Sequence, residues 1–177
     1  MSSSSTLYIK ANDDVKIFYT IHSNFHEGDS GLDLFFPNDI TIKPGDVVKV
    51  DLGIACEMIE ESLVSIETIK KCDNILNILS NLNAIITTKN VSYYLYPRSS
   101  ISNTPLILTN NVGIVDSAYR GTLKAALRNL GSESYTIKRG ERLLQICTGD
   151  LKPFTFKLVE TLSETTRGSN GFGSTGK

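Results

Sequence analysis

Three short segments carry side chains that could do chemistry together. Pro97-Arg98-Ser99-Ser100 follows an aromatic run, and a fixed guanidinium beside hydroxyls and unpaired backbone N–H groups is suited to holding an anion such as phosphate. The stretch NNVGIVDSAYRG, Asn110 to Gly121, sets two asparagines, a glycine, an acid and an aromatic around what reads as a tight hairpin. Base-edge hydrogen bonds and a ring face together would suit a small planar substrate. Near the end of the chain, Arg167 and GSNGFGSTG combine a cation with hydroxyls and with glycines whose unhindered backbone can approach phosphate oxygens. Each segment alone also fits a plain role: a solvated turn, a capped hairpin with a packed tyrosine, and a glycine-serine linker. None is a Walker loop, which needs GxxxxGK followed by Ser or Thr between a strand and a helix.

These groups need a scaffold, and the pattern around them is that of a β protein. From Gly31 onward, short apolar runs alternate with turn formers: GLDLFF, Pro37-Asn38-Asp39, ITI, Lys43-Pro44-Gly45-Asp46, then VVKVDLGIAC. VSYYLY, TLKAAL, SYTI and LLQIC continue the series, and strands at this spacing favour a sandwich or barrel over alternating β and α units. One segment differs. Ile59, Leu63, Ile66, Ile69, Leu76 and Leu79 fall near a three-to-four spacing, with one step of seven, which reads either as an amphipathic helix or as a surface insertion over about residues 57–90. The final residues, TTRGSNGFGSTGK, hold four glycines and little to bury apart from Phe172, and read as a flexible arm over residues 161–177 beside a single β domain over 1–160.

Bulk properties narrow the function. The 177 residues are 40% hydrophobic and 21% charged, with net charge -1. The sequence pI is near 6.1. Polymeric nucleic acid is therefore an unexpected partner, because a backbone-binding surface needs excess positive charge. No signal-like or membrane-length apolar run occurs, so the expected location is intracellular and no membrane partner is expected. Cys56, Cys72 and Cys147 are odd in number and widely spaced, with only His22 and His26 to supplement them. A disulfide framework or zinc site is not expected.

In this order, SGLDL, PRSS, NxVGxxDxxYRG, GERLLQ and RGxxGFGSTG resemble the five motifs of the trimeric dUTPase family, over about Gly28 to Gly176 with an interruption after Glu57. The resemblance implies an all-β, jelly-roll or barrel-like homotrimer that hydrolyses dUTP to dUMP and pyrophosphate with Mg²⁺, its sites shared between chains. Residue by residue, it implies that Asp116 is the general base for water attack on the α-phosphorus and that Gln145 helps hold phosphate and water. Arg98, Ser99, Ser100 (through its N–H), Arg167, Ser174 and Thr175 would contact the phosphates. Asn110, Gly113 and Ile114 would read uracil, Tyr119 would pack on the deoxyribose, and Phe172 with Gly173 would cover the base. Asp33 would touch the waters of a Mg²⁺ held mainly by substrate phosphates. Departures are Ser30, Thr122 and Asn170, where the family often has Ala, Glu and Gly.

Two other functions share this scaffold. A dCTP deaminase would carry a glutamate five residues beyond the hairpin glycine, where Ala126 stands. A non-catalytic partner-binding protein would use the insertion as its recognition surface, and would not require Asp33, Arg98, Asp116 and Arg167 all to be present.

Overall fold

In the computed structural model, residues 3–22, 28–65 and 84–169 are described. The chain runs β1 (Ser3–Ala11), α1 (Asp13–Ile21), β2 (Gly31–Leu34), β3 (Ile40–Ile42), β4 (Val47–Ser65), β5 (Ala84–Val91) and β6 (Tyr93–Pro97). A 3₁₀ turn (Ser99–Asn103) follows, then β7 (Leu106–Leu108), β8 (Gly113–Val115), β9 (Thr122–Asn129), β10 (Tyr135–Ile137), β11 (Leu144–Thr148) and β12 (Thr155–Leu158). The larger sheet is ordered β12-β1-β4-β9-β7, with β5 also paired to β4. The second is ordered β2-β11-β6-β8, and β10 pairs with β3. This is the expected all-β, jelly-roll-like architecture.

Period-two alternation builds the core. In β9, Leu123, Ala125, Leu127 and Asn129 are buried while Lys124 and Arg128 face solvent. Leu7 and Ile9 of β1, Ile54 and Met58 of β4, and Leu127 of the larger sheet join Leu32, Leu34, Leu95 and Ile146 of the smaller one in a single cluster. The Tyr93 hydroxyl donates to the Cys56 carbonyl at 3.3 Å and ties the two sheets together.

β4 organises the larger sheet. Val47 to Ala55 pair with β9, Ile54 to Ser62 with β1, and Met58 to Ser65 with β5. The register of the β9 ladder shifts between Asp51 and Ala55. There Gly53 adopts φ 69°, its N–H bonded to Asp51 Oδ1 at 2.9 Å and its carbonyl to the Asn12 N–H at 2.8 Å. A Cβ on Gly53 would lie 3.2 Å from Val15, so this bulge also seats α1 against the sheet.

Two features differ from the sequence expectation. The flanks of the insertion are strand: Ile59 and Leu63 lie on β4, and Ala84–Val91 form β5, while residues 66–83 lie outside the described residues. A separation of four is even, so it satisfies one face of a strand as well as one face of a helix. The helix of the described residues is instead α1, with Val15 and Tyr19 buried at i, i+4 and Asp13 and Asp14 in its first turn. Among the described residues no helix is long and apolar enough to cross a membrane.

Candidate functional site

A polar cavity of about 780 Å³ opens where β2, β11 and the end of β6 meet. The ladders put Asp33 opposite Gln145, and Gln145 opposite Tyr96, so the end of β6 delivers Arg98 beside them. Asp33 is buried, with 7% of its surface exposed. Arg98 Nε meets Asp33 Oδ1 at 2.6 Å, and Arg142 Nη1 meets Asp33 Oδ2 at 2.9 Å. The Arg142 carbonyl accepts from Arg98 Nη1 at 2.8 Å and from Ser100 Oγ at 3.0 Å. One carboxylate thus fixes two guanidiniums at the cavity wall, and the Ser100 hydroxyl is spent on the scaffold. Gln145 Nε2 donates to the Pro97 carbonyl at 3.3 Å. A Cβ on Gly31 would overlap Gln145 Oε1, which explains a glycine at this point of SGLDL. His22, Asp29 and Ser99 also line the cavity. Burial pushes the His22 pKa down, against the carboxylate of Asp33 and with the cations Arg142 and Arg98.

The hairpin forms a second cavity of about 250 Å³, with Asn110, Gly113, Ile114, Asp116 and Tyr119 around an apolar floor of Leu95, Val115 and Leu123. Asn111, with φ 57°, turns the chain, and its N–H bonds the Leu108 carbonyl at 3.0 Å. Gly113 pairs with Leu95 across the β6–β8 ladder, and a Cβ there would press to 3.1 Å on Leu95. The Tyr119 hydroxyl donates to the Thr122 carbonyl at 3.0 Å, and Thr122 Oγ1 donates to Asp51 Oδ2 at 2.5 Å, so threonine at this departure position is part of the support. Desolvation raises the Tyr119 pKa, with Asp51 adding to it and Arg167 opposing. Arg167 forms an ion pair with Asp116, its guanidinium 5.8 Å from the Tyr119 ring centre.

The start of the expected arm is bonded to this hairpin. The Arg120 N–H donates to the Gly168 carbonyl at 2.8 Å, and Thr165 Oγ1 to the Ala118 carbonyl at 2.6 Å. Beneath the hairpin, Arg120 and Glu57 form an ion pair at 2.9 Å in which each side chain is 8% exposed.

Asp33, Arg98, Ser99 and Gln145 therefore line one cavity, with Ser100 supporting it, and Asn110, Gly113, Ile114, Asp116 and Tyr119 line the other. Arg167, expected among phosphate contacts, is at the hairpin cavity. Phe172, Gly173, Ser174 and Thr175 lie outside the described residues. The two cavities have no lining residue in common. The sequence reading missed Arg142, although it lies inside GERLLQ. It also missed Arg120, Glu57 and Ser163, whose separation in sequence hides their contact. Among the described residues no group of three or more His, Cys, Asp or Glu is placed to hold a metal ion.

The all-β scaffold thus carries an arginine-lined polar cavity and, on the hairpin, a smaller cavity with amide and backbone polar groups over an apolar floor. The dUTPase family model matches residues 63–176. A deoxyuridine 5'-triphosphate nucleotidohydrolase of Clostridium novyi is 32% identical over 155 residues, covering 85% of this chain and 87% of that protein. One of Caldanaerobacter subterraneus is 32% identical over 176 residues, covering 98% and 99%. A solved structure of the Staphylococcus bacteriophage 80alpha dUTPase with dUPNHPP shares the fold at a TM-score of 0.55 and 20% identity, covering 97% of this chain and 98% of that one. The chain belongs to the dUTPase family.

Proposed function

We propose that this chain hydrolyses dUTP to dUMP and pyrophosphate in the intracellular nucleotide pool, as a homotrimer whose chains complete one another's sites. The enzyme is a dUTP diphosphatase. The observation that carries the mechanism is the placement of Asp116 at the rim of the hairpin cavity, beside Asn110, Gly113 and Tyr119. A ring seated on the apolar floor meets the Asn110 amide and the backbone near Gly113 and Ile114. A close-fitting hairpin excludes a 5-methyl group, and unpaired polar groups penalise a base with the wrong donor pattern. Tyr119 packs on the deoxyribose.

Asp116 accepts a proton from a water as its oxygen attacks the α-phosphorus. The bond from that phosphorus to the α–β bridging oxygen breaks, and pyrophosphate leaves with the electron pair. Arg98, Ser99 and Gln145 hold the phosphates and the water, and Arg142 adds a second guanidinium. Arg167 pairs with Asp116. Phosphate oxygens compete for that guanidinium and free the carboxylate as the arm, residues 161–177, closes with Phe172, Gly173, Ser174 and Thr175 over the nucleotide.

The donor set suits a Mg²⁺ that arrives with the triphosphate rather than one caged by protein. The anion cavity offers the carboxylates Asp33 and Asp29 beside two guanidiniums, a mixed lining matched to a metal-bound polyphosphate. Asp33 would contact its waters, and the ion when bound would offset charge on the departing pyrophosphate. Sharing of sites between chains is what membership of the family implies, and it agrees with two cavities that have no lining residue in common. Pyrophosphate release from dUTP, dTTP, dCTP and UTP, with and without Mg²⁺, tests the assignment. Fast release is expected from dUTP alone with the metal, and equal or absent release would refute it.

A further inference from the structure

Along one edge of β4, the β9 ladder ends at Ala55 and the β5 ladder begins at Met58. Glu57 projects at this junction, almost fully buried. Arg120, two residues before β9 begins, fills the gap. Its Nη2 reaches Glu57 Oε2 at 2.9 Å, Asn90 Oδ1 of β5 at 3.2 Å and Ser163 Oγ at 3.0 Å. Its Nη1 donates to the carbonyls of Ser117 at 2.8 Å and Tyr119 at 3.0 Å, and its Nε to the Ser163 carbonyl at 3.0 Å. Glu57 also accepts from the Ser163 N–H at 3.1 Å and from its hydroxyl.

We propose that Arg120 is a positioning residue that locks the Asp116 loop and the root of the C-terminal arm to the β4–β5 hairpin, so that the geometry of this hairpin sets how Asp116 and Arg167 are presented. The inference rests on the hydrolase assignment above and adds residues to it that do not meet the substrate. Its physical basis is the inventory of partners. A planar guanidinium with fixed donors can hold carbonyls on the loop and the arm while facing a carboxylate, whereas an ammonium presents a compact point charge without that fork. The pair is desolvated, so its geometry is enforced by the cost of leaving either charge unpaired. Asn90 and Glu57 stand at the base of the two strands that lead into the insertion. A change of twist in that hairpin moves the anchor of both functional segments together, a route by which an event at the insertion reaches the site.

The test uses the full-length protein with Arg120→Lys, Ser163→Ala and Glu57→Gln. Two readouts are needed: steady-state dUTP kinetics, and amide hydrogen exchange of residues 116–120 and 163–168. Ser163→Ala leaves the ion pair in place and serves if the other variants fail to fold. The expected result is a fall in kcat of about tenfold or more in Arg120→Lys, with KM changed less, and a smaller fall in Ser163→Ala. Exchange at Arg120, Ser163 and Gly168 is expected to rise while that of β9 stays as in the wild type. If the variants turn over dUTP like the wild type, or exchange rises throughout the sheet rather than in these segments, Arg120 is a stabilising residue only and the inference is overturned. A wild-type protein that releases no pyrophosphate would instead defeat the hydrolase assignment, while the exchange pattern would still test the clasp.

Discussion

Replacing Gly31 by alanine should separate activity from stability. Gly31 lies in the extended backbone of β2, paired with Cys147, and is not among the glycines of positive φ. Alanine is therefore compatible with the backbone, and the loss of unfolded-state freedom stabilises by about 0.4–1 kcal/mol. The new Cβ, however, would overlap Gln145 Oε1 and lie 2.9 Å from its Cδ, while the Gln145 Cβ stays at 3.5 Å. Those atoms are the mobile end of a side chain, so the amide swings aside instead of the strands parting. The folded state loses the Gln145 to Pro97 hydrogen bond, which contributes about 1 kcal/mol. The two effects nearly cancel, and the urea midpoint should move by less than about 1 kcal/mol equivalent. Turnover should not be spared. If Gln145 aims a donor at charge that develops during cleavage, removing it costs about 2.7–4 kcal/mol, on the order of 10²–10³ in kcat. The assay is pyrophosphate release beside urea denaturation, with Gln145→Ala and the double variant as companions. The double variant should be no slower than either single one, because both remove the same contact. A Gly31→Ala enzyme with kcat within about threefold of the wild type would refute the link between this glycine, the amide and the reaction.

Asp116→Asn should bind dUTP, measured by calorimetry, yet lose at least about a hundredfold in turnover, as expected for removal of a general base; near-normal turnover would count against that role. Asn129 is fully buried, its Nδ2 donating to the Ile42 and Glu133 carbonyls at 2.9 and 2.8 Å and its Oδ1 accepting from the Gly131 N–H at 2.8 Å. Asn129→Ala should therefore cost about 3 kcal/mol in urea unfolding. The lowered pKa of half-buried His22 has a definite sign. Unfolded chains take up the proton first, so the contribution of this group to stability is present above its ordinary value of 6.5 and is lost as pH falls from there toward the lower folded value. His22→Gln should flatten that part of the stability curve against pH, and an unchanged slope would assign it to other groups.

Much of this was legible in the sequence because it is written locally. The alternation in TLKAALRN fixes which side of β9 is core, and within each described motif segment the expected residues meet locally, Asp33, Arg98, Ser99 and Gln145 at one cavity and Asn110, Gly113, Ile114, Asp116 and Tyr119 at the other. The helical reading at Ile59 and Leu63 failed where two periodicities agree, and only the sheet decides between them. Helix α1 was overlooked despite its signs, an asparagine and two aspartates ahead of Val15, Phe18 and Tyr19. Arg120 and Glu57 could not be paired from sequence: 63 positions separate them, and their meeting depends on where one ladder ends along β4 and the next begins. Arg142 was within a recognised motif, but its contact with Asp33 follows from the register of β2 on β11 and not from spacing.

The parallel pairing of β1 with β12 bears on how the protein is made. Thr6 lies opposite Thr155, 149 residues further on, so β1 gains its second neighbour only after that stretch has left the ribosome. At about 5–20 residues per second, that delay is on the order of ten seconds or more. Until then the Leu7–Ile9 edge carries unpaired backbone groups open to strangers in a crowded cell. Chaperone dependence during synthesis should thus centre on β1.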